Sequence, residues 1–115
     1  MNRRQILLAA TFDMAAIVLF VVIGRRSHDE GNAFGDVLRV AAPFLVGLAA
    51  GWVVARAWRA PTAPETAMLI WPVTIVVGML LRRLAFDDGT ALPFIIVASF
   101  FTGLLLVGWR ALYRS

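Results

Sequence analysis

Four apolar runs, each about twenty residues long, leave this chain little choice of fold. They cover residues 5–24, 37–58, 64–84 and 92–113, and the charges gather between them. About twenty residues at 1.5 Å rise per residue match the roughly 30 Å hydrocarbon core of a bilayer. The predicted fold is therefore all-α, a bundle of four membrane-spanning helices in one integral membrane domain covering residues 1–115. Composition agrees: 61% of residues are hydrophobic and 16% charged, against about 45–50% and 25% in soluble domains.

The runs end as membrane helices tend to end. Arg3 and Arg4 precede the first, Arg25 and Arg26 stop it, and Pro64 and Glu65 suit the start of the third. Trp58, Trp71, Trp109 and Tyr113 lie toward span ends, where interfacial aromatics gather. Asp13 interrupts the first run, and no small-residue cleavage site precedes Arg25, so this run reads as a retained helix, not a cleaved leader. Landmarks recur at offsets of 50 to 58: Arg25-Arg26 and Arg82-Arg83, Asp29-Glu30-Gly31 and Asp87-Asp88-Gly89, Pro43-Phe44 and Pro93-Phe94, Trp58-Arg59 and Trp109-Arg110. That pattern predicts two helical hairpins related as a parallel internal repeat. Six arginines fall on the side of the termini and the middle connector and five on the other, a near-tie that favours both termini in the cytoplasm and also permits insertion in both orientations; the chain is expected in the cell membrane as a multi-pass protein.

Several chemistries are excluded at this level. Without Cys there is no disulfide, thiolate metal site or cysteine nucleophile, and the single His28 cannot supply two axial haem ligands. No phosphate loop, catalytic triad or metal-ligand cluster is legible, so no catalytic residue, cofactor or metal is expected. The formal charge of +4 comes from eleven arginines flanking apolar runs. The expected partner is therefore the lipid bilayer, not nucleic acid.

Asp13 is the most informative residue. It lies near the middle of the first run, where a charged carboxylate costs about 2.5–3.5 kcal/mol and desolvation disfavours the charged form. Ala9, Ala10 and Ala16 share its helix face and let another helix come close, so Asp13 is expected to face protein. Counted along the runs, no arginine lies at its depth, which leaves Thr74, Ser99 and Thr102 as its expected polar partners. An offset of 57 places Ile70 opposite Asp13, so the second hairpin has no equivalent carboxylate. Asp13 is thus a candidate proton or cation site, against the plainer reading of a hydrogen-bonded residue that fixes helix packing.

Two further groups stand out. The connectors carry an interfacial charge cluster of Arg25, Arg26, His28, Asp29, Glu30, Arg82, Arg83, Asp87 and Asp88. Its functional reading is an anion or headgroup site, and its plainer reading is arginines that snorkel beside neutralising acids. Gly47, Gly51 and Gly103 are helix-packing candidates, within a bundle or between chains.

The stretch from Asp13-Met14-Ala15-Ala16 to Gly24-Arg25-Arg26-Ser27-His28, with Pro43-Phe44-Leu45, Gly51-Trp52, Trp71-Pro72, Val77-Gly78-Met79-Leu80-Leu81-Arg82-Arg83 and Gly108-Trp109-Arg110, resembles the prokaryotic membrane family called domain of unknown function 3054. The resemblance spans nearly the whole chain and implies the architecture, with no activity to transfer. Small multidrug resistance transporters share the plan of four spans with a first-helix carboxylate, though theirs is Glu and lacks this hairpin repeat. The sequence reading is therefore a small proton- or cation-coupled transporter or channel using Asp13, working as a homo-oligomer or with a membrane-protein partner. The alternative is an accessory or assembly subunit of a larger membrane complex. A membrane enzyme ranks last.

Overall fold

The computed structural model describes residues 3–27, 34–84 and 92–114. They form four helices: α1 (Arg3–Ser27), α2 (Phe34–Ala55), α3 (Pro64–Leu84) and α4 (Leu92–Arg114). Each is long and apolar enough to cross a membrane, and the described residues contain no strand. The chain is a multi-pass helical membrane protein. Its longest dimension, 39 Å, suits a bilayer of about 40–45 Å including headgroups.

Several helix ends lie one to three residues from the expected bounds, and the end of α2 bears on the site: the second run predicts a helix to residue 58, but α2 stops at Ala55 and Ala57–Arg59 forms a short 3-10 turn. The break is at Arg56, which adopts φ 51° and ψ 52°, a left-handed conformation that ends a helix. Its backbone N–H turns back to the carbonyl of Val53 at 3.2 Å. The connector then tightens on itself. Thr66 donates its N–H to Ala63 and its hydroxyl to the carbonyl of Ala60, and Pro61, Thr62 and Ala63 are buried.

Pairs of contacts set the helix directions. Asp13 meets Trp52 while Phe20 meets Phe44, so α1 and α2 are antiparallel. Phe12 meets Trp109 while Phe20 meets Phe101, so α1 and α4 are antiparallel as well. The start of α1, the end of α2, the connector, the start of α3 and the end of α4 therefore share one end of the bundle.

The interface between α2 and α3 is the most extensive. Gly47 and Gly51 make it possible: a Cβ on Gly47 would lie 2.6 Å from the Thr74 carbonyl oxygen, and one on Gly51 would lie 3.0 Å from that of Ile70. The glycine pair thus packs inside the bundle. Gly78 lies under the ring of Phe44, and Gly103 under the indole of Trp71. Phe44, Ile17, Ile70 and Leu106 fill the centre. Outside, Leu7, Val53, Leu80 and Phe100 present carbon outward.

Substitutions at two glycines should separate close packing from helix propensity. Gly47→Ala drives a methyl group into backbone and should lower detergent-solubilised stability by about 1–3 kcal/mol. Gly108→Ala meets nothing within 4 Å and should leave stability unchanged or raise it by about 1 kcal/mol. Thermal unfolding of the two variants beside wild type checks the contrast.

Candidate functional site

Asp13 is completely buried, and so is Arg110. Arg110 lies one turn from the end of α4, yet its guanidinium reaches the carboxylate in the middle of α1. Helix geometry explains the meeting. Side chains tilt toward the N-terminus of their own helix. In the antiparallel pair this tilt carries Arg110 inward from its end and carries Asp13 toward that same end. The bond from Arg110 Nη1 to the Leu106 carbonyl, 3.0 Å and one turn back, records the inward lean.

The pair is bidentate. Nη1 donates to Oδ1 of Asp13 and Nη2 to Oδ2, both at 2.8 Å. Two indoles complete the shell: Trp109 Nε1 donates to Oδ1 and Trp52 Nε1 to Oδ2, again at 2.8 Å. Each carboxylate oxygen thus accepts two bonds, and all four donors are N–H groups, so Asp13 serves as an acceptor throughout. Arg110 also donates its Nε–H to the Pro61 carbonyl at 2.9 Å. Its guanidinium carbon lies 4.5 Å from the centre of the Trp109 ring, within cation–π range. One ion pair therefore joins α1, α2, α4 and the connector. Outside it, the Trp109 ring stacks between Phe12 at 5.0 Å and Tyr113 at 6.3 Å.

The expected face of Asp13 is observed: Ala9 and Ala16 are buried beside it, and Ala10 is half-buried. Its expected partners are not. Thr74 gives its hydroxyl to the Ile70 carbonyl, and the buried Thr102 Oγ1 has no partner among the described residues. Ser99 enters through its backbone, where its carbonyl accepts the Trp71 indole N–H at 2.7 Å. Reading depth from Cα position alone overlooked the length and tilt of an arginine side chain.

The connector charge cluster falls largely outside the description. His28, Asp29, Glu30, Asp87 and Asp88 lie beyond the described residues, as do the side chains of Arg25 and Arg26. Arg82 is half-buried and Arg83 exposed in the last turn of α3. A groove of about 430 Å³ opens elsewhere, lined by Met68, Trp71, Pro72, Ile75, Val76 and Ser99. It contains neither Asp13 nor any charged side chain, so it is not a mouth leading to the ion pair.

Comparison with known proteins adds a family and no activity. The model of a family described as protein of unknown function (DUF3054) matches residues 10–113. No curated protein matches the chain, and no solved structure does.

The network predicts a ranking of variants. Arg110→Lys keeps the charge but loses the planar fork, and should cost on the order of 3 kcal/mol or more. Trp52→Phe and Trp109→Phe each remove one bond to a charged acceptor, for about 1.5–3 kcal/mol apiece. Chemical unfolding in detergent measures all three; a harmless Arg110→Lys would show that charge alone suffices.

Proposed function

The chain belongs to the DUF3054 family of proteins of unknown function, and we propose that it works as an accessory or assembly subunit of a larger membrane complex, in which Asp13 holds the subunit's own fold. The observation that carries this reading is the saturation of Asp13 by four N–H donors of its own chain. A coupling carboxylate must exchange partners with a proton or cation. Here that exchange requires release of Arg110, and removing one partner of a buried pair costs about 3–5 kcal/mol.

Thr74, the hydroxyl expected beside Asp13, bonds back to the Ile70 carbonyl of its own helix. The outer surface supports a docking role. Exposed apolar side chains on all four helices, among them Leu7, Val53, Leu80 and Phe100, are available to lipid or to another membrane protein. On this reading the partner is a different membrane protein in the cell membrane, and both termini lie on the cytoplasmic side.

The rival reading is proton- or cation-coupled transport through Asp13, and one variant separates the two. Replacing the whole network by apolar side chains (Asp13→Leu, Trp52→Phe, Trp109→Phe, Arg110→Met) removes every titratable group and leaves few orphaned donors. Such exchanges of buried ion pairs are often neutral in stability. The subunit reading expects this variant to fold and to keep the partner seen when wild type is gently extracted from its own membranes and analysed by native mass spectrometry. It also expects wild-type proteoliposomes to pass protons and alkali cations no faster than empty vesicles. Flux above that background, abolished in the apolar variant, would establish transport instead.

A further inference from the structure

The end of the bundle that holds the connector carries exposed positive charge with little to balance it. Arg3 and Arg4 open α1, Arg56 and Arg59 flank the connector turn, and Arg114 closes α4; all five are exposed. Asp13 cannot balance them, because Arg110 already neutralises it. Glu65 is the one exposed carboxylate at that end among the described residues. These arginines lie where the apolar spans stop.

Two details show that the end is shaped, not merely charged. Arg114 is anchored sideways: its Nε donates to the Thr62 carbonyl at 2.9 Å and its Nη2 to the Thr62 hydroxyl at 3.3 Å. That holds one guanidinium edge against the connector and turns the rest outward. Arg56 is the only described residue other than glycine with positive φ. The left-handed region costs an L side chain about 1–2 kcal/mol, and glycine would adopt it without that cost. A strained position occupied by an exposed arginine points to a use for that side chain.

We propose that this end is a docking surface for the headgroups of anionic phospholipids, with Arg56 and Arg59 of the connector as its centre and Arg3, Arg4 and Arg114 around them. Guanidinium forks match phosphate oxygens, and the headgroup layer of an anionic leaflet brings phosphate to where these side chains end. The same surface faces the more anionic, cytoplasmic leaflet, and it acts whatever the role of Asp13.

The test is native mass spectrometry of the detergent-solubilised protein titrated with phosphatidylglycerol and, separately, phosphatidylcholine. Wild type should retain phosphatidylglycerol preferentially. Arg56→Gln and Arg59→Gln should each lower that affinity about fivefold, with retention of phosphatidylcholine unchanged. Arg56→Gly removes the same charge while relieving the backbone, so it should lose lipid yet unfold at higher temperature, which separates binding from folding. Arg83→Gln, at the opposite end of α3, should change little. Equal lipid retention in wild type and the double variant Arg56→Gln/Arg59→Gln would overturn the proposal, as would an equal loss in Arg83→Gln. Displacement of phosphatidylglycerol by inorganic phosphate at comparable concentration would overturn the lipid assignment and leave a site for free phosphate.

Discussion

A carboxylate in the middle of a membrane-spanning helix must find its hydrogen-bond donors within the protein, because the surrounding lipid offers none. Asp13 imposes that demand here, and the architecture at its end of the bundle answers it. Arg110 supplies the opposing charge, two indoles fill the remaining acceptor positions, and the connector lends the Pro61 carbonyl to the guanidinium's Nε–H. Moving α1, α2 or α4 along its axis by one turn, about 5.4 Å, would break at least one of these bonds. The ion pair therefore sets the register among three helices that the contacts of Phe20 with Phe44 and Phe101 also join.

The α2–α3 interface obeys a different rule. Gly47 and Gly51 bring the two backbones together, and the gain is close packing. The bundle thus has a polar lock joining α1 to α2 and α4, and a tight small-residue seam joining α2 to α3. Trp71 adds a third kind of contact, covering Gly103 while its N–H reaches the Ser99 carbonyl on α4. Each device meets the same requirement, that helices in lipid associate through packing and hydrogen bonds and not by leaving water.

The four helices were legible because membrane thickness dictates their length and the arginines mark their ends. The face of Asp13 was legible from Ala9 and Ala16, whose spacing is a property of one helix. Its partners were not, because they depend on how helices distant in sequence align. Residue counting assigned Arg110 to the interface, and only the antiparallel arrangement with the N-terminal tilt of both side chains brings it to Asp13. Thr74 gives its hydroxyl to its own helix, and Thr102 Oγ1 finds no partner among the described residues. The end of α2 was missed for a local reason: Arg56 in a left-handed conformation carries no compositional mark, since glycine or asparagine is the usual signal for such a turn. The same residue then became the pivot of the connector that Arg110 and Arg114 hold.

The central claim is that Asp13 and Arg110 belong to each other. A double-mutant cycle tests it most directly, with Asp13→Asn, Arg110→Gln and the combined variant unfolded in the same detergent. If the pair is the lock, each single variant is strongly destabilised and the double variant recovers part of the loss, giving a coupling energy of about 2 kcal/mol or more. Losses that simply add, to within about 0.5 kcal/mol, would contradict the account and return Asp13 to the search for a partner outside this chain.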